Sequence, residues 1–506
     1  MLSRRGFVGS IVTAGLAIGG AGVLRGREED FQGLPADAPQ PRFSVRDFGA
    51  KGDGVTNDTA AFQRAAEAVN RAGGGTLVIP RGVYVVGAQD FAGRAGAGYA
   101  FRAQSVLAIR GCRQPVLIEG AGATLRAANG LRFGSFHPVT GRPHQPTLPF
   151  TDYNYRADAY HGMINLTGNA DVTVRGVELD GNAAGLVLGG MWGDKGWQCA
   201  ATGIAAYSNA KLSVEDVHTH HHGLDGVLIG FRGLTERDAP RPHSLTRVRS
   251  EYNARQGLSW VGGIGLTATD CKFSHTGKGR FSSAPGAGVD IEAEESVCRN
   301  GRFVRCEMVN NTGGGMVADS GNGGYSAFEQ CVFWGTTSWS VFPRRPGLRF
   351  TDCRFHGSIP NPFGSPNPAL AVQFVRCHFE DREHPSHGVY RSTALVEADG
   401  DNILFDGCTL VANRVKGVYI DGAGTREILR DTRITHRHAG VPDGDFQSLV
   451  RGASLQNVRF ADETRAPAAT RWYISVDRVR VGPGVEVVGP NTRWGHRNAP
   501  LGRVAG

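Results

Sequence analysis

Acidic residues occupy equivalent places in a short segment that recurs along the middle of the chain. The recurring segments, aligned on their first glycine, are 226–230, 257–261, 288–292 and 315–319. In this alignment apolar residues alternate with the others, so we expect Val289 and Ile291 to face a core. The outward acidic set is then Asp225, Asp290, Glu292 and Asp319. If the segments stack as neighbouring strands about 4.8 Å apart, these carboxylates form one acidic patch.

Carboxylates held close together offer two kinds of chemistry. They repel one another, which raises the pKa of one group or recruits a cation. A carboxylic acid with a raised pKa can protonate a glycosidic oxygen while an ionised neighbour serves as base or nucleophile. Alternatively, Asp290, Glu292 and Asp319 could hold Ca²⁺, which neutralises a uronate and acidifies its C5 proton for β-elimination. A third interpretation is a solvated polar face, but acidic residues on consecutive repeats favour function.

A second polar group follows the same repeats at the adjoining turn. Its members are His218, His220, His221, His222, Tyr252, Asn253, Arg255, His275, Lys278, Arg280, Asn310 and Asn311. We predict that Asn253 and Asn311 turn inward and satisfy backbone groups, and that His221 is a catalytic acid or base beside the carboxylates. The candidates for substrate binding, or for the base of a lyase, are His220, Arg255, Lys278 and Arg280. A zinc site in the histidine run is disfavoured, since adjacent residues of an extended segment point to opposite faces.

A long internal repeat positions these residues. A column of residues recurs in the local pattern apolar-x-x-column-x-apolar, and most neighbouring members are 21 to 26 residues apart. The column is Val217, Val248, Cys271, Cys306, Cys331, Cys353, Cys377, Cys408, Thr432, Val458 and Val479. A repeat of this size indicates a solenoid, and the alternation at period two indicates short strands. We therefore predict an all-β, single-stranded right-handed parallel β-helix, with glycine at its corners.

A second signature precedes the coils. Residues 43–62 read FSVRDFGAKGDGVTNDTAAF, and residues 73–84 read GGGTLVIPRGVY. Asn57 or Asp58 can cap a helix that ends at Gly73. Its apolar face is Phe62, Ala65, Ala66 and Val69. We expect this helix to plug the open end of the coil stack, where strand edges would otherwise be exposed.

This signature resembles the N-terminal motif of β-helix proteins in the pectate-lyase superfamily. That superfamily includes rhamnogalacturonases, polygalacturonases, mannuronan epimerases and phage tailspike depolymerases. The resemblance covers the motif and the coils behind it, and it implies a right-handed β-helix. It does not specify a reaction, because the superfamily includes lyases, hydrolases, epimerases and simple binders.

Comparison with two of these families, the polygalacturonases and the mannuronan epimerases, limits the reactions that the resemblance implies. Residues 222–227, HGLDGV, look like the polygalacturonase motif Asn-Thr-Asp-Gly-Ile-Asp, with Asp225 at its first catalytic-region aspartate. Where that family carries paired aspartates and then His-Gly in the next two coils, this chain has Arg255-Gln256 and Ala287-Gly288. The epimerase motif Tyr-Gly-Phe-Asp-Pro-His is also absent. These departures disfavour both reactions.

Two insertions are expected to form the walls of a substrate groove. Residues 131–161 are rich in aromatic residues and include Tyr155, and residues 185–199 contain Trp192 and Trp197. Long loops on a repeat scaffold commonly bind ligands, and exposed aromatic rings suit the C–H faces of sugars. The alternative is that both segments only pack over the coils.

Composition sets further limits. The chain has 506 residues, and repeats from about residue 75 to about residue 485 leave no room for a second core. The net charge of +8 favours polyanionic partners, but the absence of a basic run argues against nucleic acid. The nine cysteines, six of them in the column, are expected to be buried and reduced.

The first residues indicate export. MLSRRGFV resembles the twin-arginine motif and leads into an apolar stretch, 11–24, that is short for a membrane span. An uncleaved membrane anchor is the alternative. We predict a signal at 1–30, a cap at 42–87, the β-helix at 88–485 and a C-terminal tail at 486–506.

These features predict a periplasmic or extracellular enzyme that cleaves a uronate-containing polysaccharide by β-elimination. A glycoside hydrolase with a carboxylate acid/base pair is one alternative, and a non-catalytic carbohydrate-binding or surface protein is another. No cofactor is expected apart from the Ca²⁺ considered above. The polysaccharide is the expected partner, without nucleic acid or, after removal of the signal, membrane. The tailspike resemblance allows a homotrimer as well as a monomer.

Overall fold

The architecture is a stack of coils whose strands form three parallel sheets. The computed structural model describes residues 40–147, 152–190, 198–382, 394–421, 426–437, 446–463, 472–489, 492–495 and 498. The parallel β-helix predicted from the sequence is confirmed. The predicted export signal lies outside the described residues.

The strands fall into the same order in every coil. The first sheet contains Arg42–Ser44, Gly75–Val78, Val116–Glu119, Val172–Arg175, Leu212–Glu215, His243–Thr246, Leu266–Thr269, Arg302–Val304, Ala327–Glu329, Arg349–Thr351, Gln373–Val375, Leu404–Asp406, Ile428–Arg430, Ser454–Gln456 and Arg480–Val481. The second sheet contains Asp53–Asn57, Gly82–Val86, Ala123–Ala127, Glu178–Asp180, His218–His220, Arg249–Glu251, Lys272–Ser274, Glu307–Val309, Val332–Trp339, Arg354–Pro360, His378–Glu380, Thr409–Ala412, Arg433–His436, Arg459–Asp462 and Glu486–Val488.

The third sheet leads each coil back to the first. It contains Leu107–Arg110, Gly162–Thr167, Thr202–Tyr207, Asp225–Gly230, Gln256–Trp260, Ala287–Arg299, Met316–Gly323 and Val341–Pro343, with Gly263–Ile264 beside it. In later coils the same place is taken by Ala394–Ala398, Lys416–Asp421, Phe446–Arg451, Trp472–Asp477 and Thr492–Trp494.

The predicted column lies at the corner between the first and second sheets. All its members are buried except Val479, which is half-buried. Next to it, Phe303, Phe328, Phe350, Phe374 and Phe405 stack with centroid separations of 4.6, 5.0, 5.2 and 5.1 Å. All nine cysteines are buried and free, as predicted. The core is thus built from ladders of identical side chains.

The residue before each column member turns the corner in the left-handed region. Asp352 and Arg376 have φ of 54° and 51°, and the Arg376 guanidinium pairs with the Asp352 carboxylate at 2.7 Å. The prediction of glycine corners is wrong at this position, because Asp, Arg, Asn and Gln fill most of these places and glycine fills only that of Gly407 among the described column coils. Stacked ion pairs stabilise a conformation that a lone non-glycine residue rarely adopts.

The predicted helix is present as Thr59–Ala72, and its expected apolar face is buried. Asn57 Oδ1 accepts the backbone N–H of Thr59 at 3.1 Å, and Gly73 ends the helix with φ of 73°. The helix contacts Gly75–Val78 and Leu107–Arg110, near the start of the first and third sheets. Short 3-10 helices lie at Val45–Phe48, Tyr153–Tyr155 and Ala183–Gly185. The described part of the chain contains no helix with the length and apolar character to cross a membrane.

The segment predicted as a wall loop, 131–161, takes part in a small side sheet. Its strands are Gln89–Phe91, Phe101–Ala103, Arg132–Ser135, Arg156–Ala157 and Val187–Leu188. Phe133 of this sheet stacks on Phe281 at 5.5 Å, and Phe101 contacts Phe136 at 5.5 Å. The side sheet therefore packs over the corner between the second and third sheets.

Candidate functional site

The outer face of the third sheet carries the predicted acidic residues. Val227, Leu258, Val289 and Met316 are buried in the core, as the alignment on glycine predicts. Each segment needs its glycine, because a Cβ on Gly226 would lie 1.9 Å from Ser250 Oγ, and one on Gly288 would lie 2.6 Å from Asn311 Nδ2. The inward glycine lets the residue before it, Asp225 in the first segment, project to the outside.

The strand register sets the positions of the predicted acidic residues on this face. Asp290 pairs with Ser259 on one side and Val317 on the other. Glu292 pairs with Ser320, so the register shifts by one residue and Asp319 lies in an irregularity between the two strands. Asp319, which the glycine alignment makes equivalent to Glu292, is therefore not its register partner; it is exposed but still near enough to raise the pKa of Glu292.

Asp225 and Arg255 form a buried ion pair between consecutive coils. Arg255 Nε and Nη2 donate to Asp225 Oδ1 and Oδ2 at 2.7 and 2.5 Å, and Nη1 donates to Gln198 Oε1. Burial alone would lower the pKa of Arg255, but the Asp225 carboxylate opposes this effect and the net shift is upward. The guanidinium therefore stays charged. With Asp225 0% exposed and Arg255 9% exposed, neither residue reaches substrate in this structure, contrary to their predicted catalytic and substrate-binding roles.

Asp290 is a buried carboxyl group beside this pair. It is 1% exposed, and its Oδ2 accepts a hydrogen bond from Gln256 Nε2. Burial, followed by the Glu292 charge, raises its pKa well above the usual value. Within the described part of the chain, Asp290 Oδ1, Gln256 Oε1 and Ser259 Oγ are buried without a hydrogen-bond partner. Burial and the neighbouring Glu292 carboxylate therefore both favour the neutral form of Asp290.

Of the two carboxyl groups Asp290 and Glu292, Glu292 is the more accessible. Its side chain is half-buried, two residues beyond Asp290 on the same face of one strand. Burial raises its pKa from 4.5 to about 7 against the opposing effect of Arg255, while Glu294, Asp225 and Asp319 add to the rise. A carboxyl group with this pKa can give or take a proton at neutral pH.

Two arginines, Arg344 and Arg345, lie one coil beyond Asp319 and contact the strand that carries it. Arg344 N donates to Ala318 O at 2.8 Å, and Arg345 Nη2 donates to the carbonyl oxygen of Asp319. Arg344 is exposed, and both cations lower the pKa of Asp319 against burial, which raises it overall. Neither arginine was a predicted site residue, although each lies one repeat length after Asp319.

The predicted calcium ligands do not converge. In the described residues, the oxygens of Asp290, Glu292 and Asp319 do not form a group that lies within 4.8 Å of one another. Asp290 Oδ2 is already engaged by Gln256, and Asp319 is displaced by the register shift. A preformed calcium site of these three carboxylates therefore does not fit this structure.

The predicted histidines lie on a different sheet. His220 is on the outer face of the second sheet, where its Nε2 contacts Glu178 Oε1 at 3.1 Å. His221 follows at the corner with φ of 56° and stacks on Tyr252, with ring centroids 5.2 Å apart. Neither contacts Asp290 or Glu292 in the structure, so the placement of His221 as acid or base beside these carboxylates is wrong.

The next residue of each coil forms the predicted inward ladder. His222, Asn253, Thr276 and Asn311 are buried. Asn253 Oδ1 accepts the backbone N–H of His222 at 3.1 Å, and Asn311 Oδ1 accepts that of Thr276 at 2.9 Å. His222 Nδ1 also contacts the buried Tyr160 hydroxyl at 2.9 Å. The ladder is structural, as expected for Asn253 and Asn311.

The remaining predicted binding residues have separate locations. Lys278 is exposed in a turn closed by its N–H to His275 O, 3.0 Å. Arg280 Nη1 donates to the carbonyl oxygens of residues 183, 184 and 186 at 3.1, 2.9 and 2.7 Å, so its guanidinium fixes a turn. Tyr155 is half-buried and stacks on His144 at 4.1 Å. Trp192 and Trp197 lie outside the described residues.

Comparisons with known proteins agree with the fold. Residues 42–89 match the family described as rhamnogalacturonase A/epimerase, pectate lyase-like, which confirms the predicted resemblance over that segment. Alginate lyase 7 of Azotobacter vinelandii is 54% identical over 201 residues, 38% of this chain and 21% of that protein. Mannuronan C5-epimerase AlgE4 of the same organism is 30% identical over 200 residues, 37% of this chain and 32% of that protein.

The solved structures include the A-module of AlgE4, which is 15% identical, covers 89% of this chain and 99% of the module, and has a TM-score of 0.49. The matched part of this chain spans about a fifth to a third of the length of the two relatives.

Proposed function

We propose that this protein is a polysaccharide lyase that cleaves a uronate-containing polysaccharide by β-elimination on the outer face of the third sheet. The similarity to alginate lyase 7 supports the class of substrate. The observation that carries the reaction is Glu292, a half-buried carboxyl group with a pKa raised to about 7.

Glu292 can perform both proton transfers of the elimination. As a carboxylate it takes the C5 proton of the uronate, and the electron pair of that C–H bond forms the C4–C5 double bond. The C4–O4 bond breaks, and O4 receives the proton from Glu292, which returns to its ionised form. A pKa close to the working pH suits a group that first accepts and then donates a proton.

The C5 proton becomes acidic only if the uronate carboxylate is neutralised. Arg344 is an exposed cation one coil beyond Asp319, and Arg345 lies beside it. We assign the substrate carboxylate to these guanidinium groups. The buried Asp225–Arg255 pair and the buried Asp290 act from behind Glu292, as positioning residues that set the local charge.

A glycoside hydrolase is the second candidate. The pKa of about 7 would equally suit Glu292 as the general acid that protonates a leaving oxygen. Asp319, exposed on the neighbouring coil, would then be the base or nucleophile. An epimerase is a third, on the similarity to AlgE4, because it also begins with removal of the C5 proton.

Products distinguish these reactions. We expect incubation with a panel of polyuronates to give unsaturated chain ends with strong ultraviolet absorbance, both with and without EDTA, and we expect Glu292→Gln to abolish their formation. Glu307→Gln, an exposed glutamate of the second sheet, is the matched control and should keep full activity. New reducing ends without the absorbance would indicate hydrolysis, changed uronate stereochemistry without cleavage would indicate epimerisation, and no product would leave a binding protein.

Export through the twin-arginine-like leader stays part of this proposal. A polymeric substrate that cannot enter the cell requires an enzyme in the periplasm or outside. Fractionation of cells expressing the full chain, compared with a variant in which Arg4 and Arg5 are both replaced by Lys, tests it. Retention of the wild-type protein in the cytoplasm would contradict it.

A further inference from the structure

A cluster of imidazole and carboxylate groups lies on the outer face of the second sheet, away from Glu292. His220 Nδ1 is 2.7 Å from His221 Nδ1 and 3.8 Å from Asp180 Oδ1. One ligand atom from each of these three residues lies within 4.8 Å of the other two. Three potential metal ligands therefore already converge on one point.

The fold explains how adjacent histidines converge. Asp180 and His220 are register partners on neighbouring strands, so their side chains share the outer face. His221 begins the corner in the left-handed region, with φ of 56°, which turns its ring back toward His220. Its ring lies parallel to that of Tyr252, with an interplanar angle of 4°. Adjacent residues point to opposite faces only in an extended chain, and the left-handed corner at His221 is not extended. The two histidines can therefore share one metal ion, although the sequence pattern disfavours a zinc site.

A second layer of hydrogen bonds holds two of the three ligands, His220 and Asp180. His220 Nε2 contacts Glu178 Oε1 at 3.1 Å, and Thr124 Oγ1 donates to Glu178 Oε2 at 2.7 Å. Asp180 accepts from Arg126 Nε at 3.0 Å and from the backbone N–H of Asn182 at 2.8 Å. A carboxylate behind a ligating histidine fixes the ring and its tautomer in metal sites.

We propose that Asp180, His220 and His221 bind a divalent transition metal of the zinc type, through two imidazole nitrogens and one carboxylate oxygen. Bond lengths of zinc to nitrogen and oxygen put tetrahedral ligand atoms about 3.3 Å apart. The separations of 2.7 and 3.8 Å lie on either side of this value. The fourth position is left for water or a ligand. This site goes beyond the proposed lyase function, because it lies on another sheet and shares no residue with the Glu292 face.

A neighbouring set, Glu178, His218 and the other nitrogen of His220, is the competing arrangement. We favour the first set because the Asp180 side chain is 17% exposed, whereas that of Glu178 is 43% exposed and less confined. His218 also contacts Glu251 Oε2 at 3.5 Å. The two arrangements differ in whether His221 or His218 is needed.

Metal titration of the full, tag-free chain tests the proposal. After removal of bound metal with a chelator, Zn²⁺ is titrated by calorimetry and Co²⁺ by visible absorption. We expect one ion per chain, with the intense Co²⁺ bands of a four-coordinate site. His221→Gln and Asp180→Asn should each weaken binding at least about tenfold, while His218→Gln and the control His378→Gln, on the same sheet, should bind like wild type.

Several outcomes would overturn the assignment. Saturable binding that survives His221→Gln and Asp180→Asn, or binding lost in His218→Gln but kept in His221→Gln, would assign the ion elsewhere. Absence of saturable binding to the wild-type chain would mean that the short nitrogen–nitrogen distance is only a hydrogen bond. Circular dichroism of each variant checks folding, and Asp180→Asn serves if His221→Gln does not fold.

Discussion

Glu292 should make the stability of the protein depend on pH. Its pKa rises from 4.5 to about 7 on folding, so the folded protein holds this proton more tightly than the unfolded chain does. The contribution of Glu292 to the free energy of unfolding is therefore fully present below about pH 4.5 and is lost as the pH rises to about 7, because the folded state resists losing the proton. A rise from 4.5 to about 7 corresponds to about 3 kcal/mol.

Glu292→Gln keeps the shape of the side chain but removes the ionisable group. It therefore removes the loss in the free energy of unfolding that accompanies ionisation of this carboxyl group. Urea unfolding of wild type and variant at pH 4.5 and 8 measures the difference in the free energy of unfolding. We expect the variant to gain up to about 3 kcal/mol relative to wild type between the two pH values. Glu307→Gln, whose side chain is 45% exposed, should show no such gain. If both variants follow the wild-type pH dependence in parallel, Glu292 is not buried with a raised pKa, and its assigned role fails with it.

Three further predictions concern the scaffold. Arg255→Met should lower the free energy of unfolding by about 3–5 kcal/mol, because it leaves Asp225 buried and unpaired. Adding Asp225→Leu should restore most of this loss. Equal stability of the single and double variants in urea would contradict the ion pair. Phe350→Ala, within the phenylalanine stack, should cost about 3–5 kcal/mol in the same assay, and a loss below about 1 kcal/mol would mean the ladder is loosely packed. No cysteine should react with a thiol reagent in the folded protein and all nine should react after denaturation in the absence of reductant; fewer than nine would reveal a disulfide.

Much of the fold could be predicted because a β-helix converts sequence periodicity directly into position. The column from Val217 to Val458 is buried, and Gly226 and Gly288 occupy equivalent places whose Cβ would strike the inward ladder. Period-two alternation and a repeat of about two dozen residues were sufficient to predict both the buried column and the equivalence of the two glycines. The helix at Thr59–Ala72 was equally predictable, since its buried face follows a simple 3.6-residue period.

The site was harder to predict, because small local departures from regularity decide it. Asp319 misses the expected register by one residue, owing to an irregularity that no hydrophobic pattern marks. Asp225 is buried and paired with Arg255, which also donates to Gln198, and Gln198 comes from an insertion outside the repeat. Alternation predicts which way a side chain points, but it does not predict what covers that side chain.

Residues 220–225 form one corner of the β-helix. They separate the histidine cluster of the second sheet from the carboxyl groups of the third sheet. His220 ends a strand of the second sheet and faces outward, His221 turns in the left-handed region, His222 points into the core, and Asp225 begins a strand of the third sheet. The buried His222 contacts Tyr160 and Thr219 at 2.9 Å each, so the residue between the two sheets is anchored in the core. Histidines and carboxylates that are adjacent in the sequence therefore belong to two surfaces, and a proton held by Glu292 and a metal held by His220 must be tested as independent functions.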